Sequence, residues 1–306
     1  MAMRRILLIL LLAIAVLLAV NAVLTSRETK SAEADIGRIV ALPGADLQVR
    51  ERGPADAPAT VLLHCYTCSI HWWEQLEPLL AANSRVVSID LIGHGGSEKP
   101  RNGYSAEEQA DNIADALREL DVDRALIVGQ SLGGVIGTAL AERHPELARG
   151  VVVMDSPPAE EYRDLPLTAR LATAPVIGQA TKRIAPDGVI RDGLSDAFAE
   201  GFEVPDQFVE DVRRMTFTSF KDVPEQVDEY VAEKSIDDRL AAMGLPLLVV
   251  FGAEDTVVKP PAEAADEFRD VQGARVVMLP GVGHTPQVEA PAKTAALIRG
   301  FDRSTR

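Results

Sequence analysis

The chain has 306 residues, 47% of them hydrophobic, with 31 basic and 46 acidic side chains and a formal net charge of −15. That length fits one α/β core domain plus a leader. Acidity on this scale argues against nucleic acid as a partner, because a polyanion needs a basic face.

Residues 1–24 read as a membrane anchor or signal segment. Met1-Ala2-Met3-Arg4-Arg5 precedes an uncharged run from Ile6 to Val20, which resumes after Asn21 as Ala22-Val23-Leu24. As a helix, residues 6–24 span ~28 Å, close to the hydrocarbon thickness of a bilayer. A basic start before an apolar run also describes a secretory signal, and Val20-Asn21-Ala22 fits a small-residue cleavage site. The run exceeds the usual signal core, which favours an uncleaved anchor. The expectation is a single pass through the cell membrane, with Arg4 and Arg5 cytoplasmic and the domain that follows outside, or a secreted protein if the leader is cleaved. Residues 25–36 are polar and read as a linker.

Beyond residue 36, strands are predicted at 37–42, 46–52, 60–64, 85–90, 125–129, 151–154, 247–251 and 275–279. Helices are predicted at 71–81, 105–120, 132–144, 260–269 and 290–302. Short apolar strands alternating with helices imply a mostly parallel sheet covered on both faces. In 105–120, Ala110, Ile113, Ala114, Leu117 and Leu120 share one face, and Ser105 with Glu108 makes a capping box. Residues 157–240 break the alternation. Their Pro, Gly and charged residues, with Phe208, Val212 and Met215 at helical spacing, predict a helical cap inserted between two strands of a domain spanning 37–303. Such a cap shapes a pocket and excludes water.

Gly129-Gln130-Ser131-Leu132-Gly133 joins the apolar run Ala125–Val128 to the predicted helix at 132. This G-x-S-x-G string between strand and helix is the pattern of a nucleophile elbow, where a sharp turn presents a serine hydroxyl. A serine needs a base to take its proton. Of His64, His71, His94, His144 and His284, the last follows a predicted strand on a glycine-rich loop, Pro280-Gly281-Val282-Gly283-His284. A carboxylate must fix the histidine tautomer. Asp255 follows the strand Leu247–Val250 and gives the order Ser131, Asp255, His284; Glu254 and Asp155 are the rivals. The oxyanion formed in acyl transfer needs preorganised N–H donors. One is the N–H of Leu132, and the other should come from the loop His64-Cys65-Tyr66-Thr67-Cys68-Ser69.

These segments, with Asp90-Leu91-Ile92-Gly93-His94-Gly95-Gly96-Ser97 and Gly283-His284-Thr285-Pro286-Gln287-Val288-Glu289-Ala290-Pro291, resemble the α/β-hydrolase superfamily in the expected order. The resemblance implies a mostly parallel eight-stranded sheet with helices on both faces, an inserted helical cap and, here, a preceding hydrophobic helix. It also implies that Tyr66 N–H is the second oxyanion donor, although Cys65 stands where the family commonly has glycine. Relatives that open epoxides or remove halides use aspartate as nucleophile, whereas this elbow carries serine. The implied activity is hydrolysis of a small-molecule acyl substrate, ester-type, through an acyl-enzyme, with no metal or organic cofactor. Carbon–carbon bond hydrolases, perhydrolases and non-catalytic binding proteins of the same fold are the alternatives. Trp72, Trp73 and Tyr66 are candidates to line the pocket. Cys65 and Cys68 leave three readings: a redox pair, a metal site with His64 and His71, or, favoured, a loop with two thiols that can oxidise to a local disulfide outside the cytoplasm.

Overall fold

A computed structural model describes residues 2–163 and 171–305. Its sheet has eight strands among the described residues: β1 (Arg38–Val40), β2 (Leu47–Arg52), β3 (Ala59–Leu63), β4 (Arg85–Ile89), β5 (Ala125–Gln130), β6 (Ala148–Met154), β7 (Leu247–Gly252) and β8 (Arg275–Leu279). They lie in the order β1-β2-β4-β3-β5-β6-β7-β8. β2 runs antiparallel to both its neighbours, and β4 to β8 run parallel. The chain moves outward from β3 to β4 and then returns to place β5 on the other side of β3. Side chains beyond the carboxyl ends of β3 and β5 therefore flank a switch point, where open α/β sheets open a crevice.

Successive strand residues point to opposite faces, so each run feeds two apolar layers. Val61, Leu63, Val87, Ile127 and Val153 pack with Ile113 and Leu117 of α3 (Ala106–Glu119) and Val135, Ile136 and Ala139 of α4 (Leu132–Arg143). Leu62, Val86, Leu126, Val128 and Leu248 pack with Trp73, with Leu80 of α2 (Glu77–Ala81), and with Ile298 and Phe301 of α12 (Pro291–Asp302). Each such aliphatic side chain stabilises the fold by roughly 1.5–3 kcal/mol. At the start of α3 the Ser105 hydroxyl accepts from Glu108 N–H at 3.2 Å, and the Glu108 carboxylate accepts from Ser105 N–H at 3.3 Å.

Two elements depart from the sequence reading. The helix predicted at 71–81 is broken into a 3₁₀ turn, Ile70–Trp73, and α2. Pro78 is the cause: its ring would clash with the Glu74 carbonyl in a continuous helix, and it has no N–H to donate. β6 starts at Ala148, earlier than expected, because Arg149 is not a loop residue. Its guanidinium donates to Ala59 O at 2.9 Å and pairs with Asp302.

Between β6 and β7 lie α5 (Ile177–Ile184), α6 (Asp187–Ser195), α7 (Asp206–Arg214), α8 (Phe217–Glu233) and α9 (Ile236–Met243). Part of the expected cap, 164–170, falls outside the described residues. After β7 come α10 (Pro261–Glu267) and, past β8, α11 (Pro286–Glu289). The N-terminal α1 (Ala2–Thr25) contains a 23-residue stretch, Met3–Thr25, long and apolar enough to cross a membrane, and none of its most apolar window is buried against the domain. The polar segment after it lies on the domain: Glu33 N–H donates to Gly96 O at 2.8 Å and the Lys30 ammonium to Arg214 O at 2.9 Å.

Candidate active site

Ser131 stands between the last residue of β5 and the first of α4, with φ 52° and ψ −117°. A non-glycine residue there is strained, and the strain is the mark of a sharp strand-to-helix turn. The glycines beside it make the turn possible. A Cβ on Gly129 would sit 2.1 Å from Gly133 O, and one on Gly133 would sit 2.1 Å from Leu63 O. Helix α4 crosses back over the sheet too closely for any side chain. Ser131 N–H donates to Met154 O at 2.8 Å, and the Ser156 hydroxyl donates to Ser131 O at 2.8 Å, which fixes the turn from both sides.

His284 and Asp255 reach the same rim from the ends of β8 and β7. The His284 Nδ1 lies 2.8 Å from Asp255 Oδ2. The other Asp255 oxygen accepts from Val257 N–H at 2.7 Å and Val258 N–H at 3.1 Å. Burial alone would raise this carboxyl, but the His284 ring and those two donors outweigh it and hold the pKa below the ordinary value. Gln130, next to the serine, donates from Nε2 to His284 O at 2.7 Å, so the histidine loop is tied to the elbow. Ser131 and His284 line one cavity.

Among the described residues, neither rival carboxylate takes the place of Asp255 as the hydrogen-bond partner of His284. Glu254 is exposed. Asp155 is fully buried, and its Oδ1 accepts from Gly252 N–H at 2.8 Å, while its Oδ2 has no hydrogen-bond partner. Asp155, Asp255 and His284 each bring one ligand-type atom within 4.8 Å of the others. Burial, and then the charge of Asp255, push the Asp155 carboxyl well above the ordinary range. A carboxyl that resists ionisation is a poor metal ligand.

The loop after β3 is pinned at both ends. His64 Nε2 accepts Leu91 N–H at 3.0 Å, which leaves Nδ1 to donate to Cys65 O at 2.8 Å. Asp90 Oδ1 accepts Ile70 N–H at 2.7 Å. His64 and His94 are both buried, and burial depresses their pKa values, so they act as neutral struts. Cys65 and Cys68 form a disulfide, which sets aside the metal reading; His64 is spent on backbone, and His71 lies between Asp35 and Glu74. Tyr66 and Leu132 both line the cavity, and neither backbone N–H meets an acceptor among the described residues. Free N–H donors that line the same cavity as a serine can bind an anionic oxygen.

The cavity holds about 630 Å³, within the roughly 300–1,000 Å³ of small-molecule sites. Its walls include Val135, Leu171, Ile177, Val189, Leu194, Phe220 and Val258. Tyr66 and Trp72 line it, whereas Trp73 is core. Trp72 stacks on Phe208 at 3.7 Å between ring centres and donates from Nε1 to Asp211 at 3.0 Å. One supporting residue escaped the sequence reading. Glu289 accepts from Gly283 N–H at 3.0 Å, Ala199 N–H at 2.8 Å and Thr285 N–H at 3.1 Å, clamping the histidine loop to the inserted helices. Its signal in the sequence is its place in the family-like segment Gly283–Pro291, five residues after His284.

Known proteins agree with this architecture. The alpha/beta hydrolase family profile matches residues 60–297. A haloalkane dehalogenase of Bradyrhizobium diazoefficiens is 28% identical over 267 residues, covering 78% of this chain and 84% of that protein. A 2-hydroxymuconate semialdehyde hydrolase of Pseudomonas sp. strain CF600 is 27% identical over 248 residues, covering 75% and 80%. Among solved structures, a membrane phospholipase A described as a bacterial virulence factor is similar with a TM-score of 0.74 at 22% identity, covering 100% of this chain and 99% of that one. The profile runs from β3 to α12 and takes in the serine turn and the histidine loop, and the chain belongs to the alpha/beta hydrolase family.

Proposed function

We propose that the protein is a membrane-anchored serine hydrolase that cleaves an acyl ester bond. Ser131 Oγ attacks the acyl carbonyl carbon, and His284 Nε2 takes the hydroxyl proton. The C–O bond to the leaving alcohol breaks as His284 returns that proton to its oxygen. Asp255 holds the imidazole tautomer and stabilises the imidazolium. The N–H groups of Leu132 and Tyr66 donate to the oxyanion. Water, deprotonated by His284, then attacks the acyl-serine, releases the carboxylic acid and restores Ser131. The cycle calls for no metal or organic cofactor.

The observation that carries this reading is the 2.8 Å His284–Asp255 hydrogen bond at the rim of an apolar cavity that Ser131 also lines. Retention of the leader is supported by its contacts with the domain: Gln179 donates to Ala22 O at 3.2 Å and Arg183 to Asn21 Oδ1 at 3.0 Å. A disulfide in the loop after β3 fits a catalytic domain outside the cytoplasm. The membrane phospholipase A neighbour, which covers the leader as well, is in keeping with an anchored acyl hydrolase. A panel of p-nitrophenyl esters of increasing chain length tests the reading. The wild type should turn them over, and Ser131→Ala should lower kcat by about 10⁴-fold or more without changing the fold. Equal turnover by the variant contradicts it.

A further inference from the structure

Outside α1, exposed large apolar side chains occur in one stretch among the described residues. They are Leu171, Val176, Ile177, Ile184 and Val189, between 37% and 77% exposed. All five lie on or beside α5 and α6. Ile177 and Ile184, seven apart, share one face of α5. Soluble surfaces scatter such side chains singly, and a gathered patch marks an interaction site. Leu171, Ile177 and Val189 also line the cavity that holds Ser131 and His284. A side chain that is both exposed and cavity-lining stands at the mouth, so the mouth has an apolar border.

Helix α5 is also the element that holds the end of α1, through the Gln179–Ala22 and Arg183–Asn21 hydrogen bonds. From Ile6 to Leu24, beyond the charged Arg4 and Arg5, a helix measures ~28 Å, close to the thickness of a bilayer's hydrocarbon core. The boundary of a bilayer spanned by α1 therefore falls near Leu24, within one helical turn of the Asn21 and Ala22 contacts with α5. Arg27 and Arg183, in a chain that is acidic overall, stand at this same helix end, where cations suit anionic headgroups.

We propose that this apolar face of α5 and α6 rests in the interface of the bilayer that holds α1, and that the substrate is a membrane-resident glycerolipid. Its acyl chain passes from the bilayer through the mouth to Ser131 without exposing its methylenes to water. The products are a fatty acid and the deacylated lipid alcohol, with water as the co-reactant. The substrate half of the proposal rests on the acyl-hydrolase reading above; the surface half does not.

The test uses the full chain reconstituted in vesicles of dioleoyl phosphatidylethanolamine and phosphatidylglycerol. Ile184 lies outside the cavity lining. Ile184→Glu should keep hydrolysis of soluble p-nitrophenyl butyrate within about twofold and lower oleate release from the vesicles about tenfold. A readout independent of catalysis is Ile184→Trp in vesicles of brominated lipid. Its fluorescence should be quenched more than that of the wild type in the same vesicles, which carries the signal of Trp72 and Trp73 alone, while Arg275→Trp, at the amino end of β8, should show no quenching beyond the wild type. Oleate release by Ile184→Glu that falls no more than butyrate hydrolysis does, or an unquenched Trp at 184, overturns the proposal. A wild type that hydrolyses neither substrate overturns the acyl-hydrolase reading, and the quenching result then judges the surface alone.

Discussion

Asp255 and Asp155 show how two carboxyl groups of one type are given different states. Asp255 accepts from His284, Val257 and Val258 and is held below the ordinary carboxylate pKa. Asp155, buried beside it with one oxygen unpartnered, is pushed well above. The signs of linkage are opposite. A depressed folded pKa gives Asp255 a contribution present above its unfolded value and lost as pH falls through the folded one. A raised folded pKa makes Asp155 cost stability progressively as pH rises from its unfolded value, ~3.9, towards the folded one. Asp155→Asn keeps an acceptor for Gly252 N–H, and it cannot ionise. Its melting temperature relative to wild type should therefore rise between about pH 4 and pH 7, with activity within about tenfold. Asp155→Leu leaves Gly252 N–H unpaired at ~1–3 kcal/mol, and it should lose activity by roughly 10–100-fold. A flat pH dependence of the Asn-to-wild-type difference in thermal melting contradicts the neutral assignment. By sequence alone Asp155 is a rival orienter, because it too follows a strand. Only three-dimensional packing shows that His284 pairs with Asp255 and that Asp155 pairs with Gly252.

At the scale of elements, the loop after β3 is the distinctive feature. Its family position for glycine is occupied by Cys65, and a disulfide to Cys68 encloses Tyr66 and Thr67, the latter at φ 62°. A cross-link restricts the loop where glycine would leave it free. Replacing both cysteines with alanine should lower kcat for soluble esters by about tenfold, with KM little changed, because an oxyanion donor acts mainly in the transition state. Steady-state kinetics on the double variant checks this; unchanged kcat means that the disulfide does not hold the donor. The elements themselves were legible where apolar period and punctuation agree, as in the strand–Gly129–Ser131–Gly133–helix turn and the Ser105 capping box. They were not legible where a single residue overrides the period, as Pro78 does in splitting the helix at 71–81. The clamps were hidden too. Asp90 and Glu289 fall in family-like segments, but no local pattern assigns them a role, because their backbone partners lie far off in sequence or across a loop.

For the whole molecule, the sequence conveyed the order of parts: an apolar leader, a mostly parallel sheet and a helical insertion. It did not convey that the leader ends against the insertion, or that the insertion's exposed apolar side chains border the cavity. Those are contacts between segments more than 150 residues apart, such as Gln179 with Ala22, and no local pattern encodes them. Retained anchoring predicts that the full chain stays in the membrane pellet after alkaline carbonate extraction, and that its mature N-terminus precedes Asn21. Release into the supernatant, or a mature N-terminus after Ala22, contradicts the anchor and favours a cleaved leader. The serine chemistry stands apart from that question. It requires only that the carboxyl ends of β5, β7 and β8 bring Ser131, Asp255 and His284 to one cavity. The direct measurement is covalent: incubate the full chain with a fluorophosphonate probe, measure the intact mass and map the modified peptide. One adduct per chain is predicted, located at Ser131 and absent from Ser131→Ala. An adduct at another residue, or equal labelling of the variant, contradicts the account.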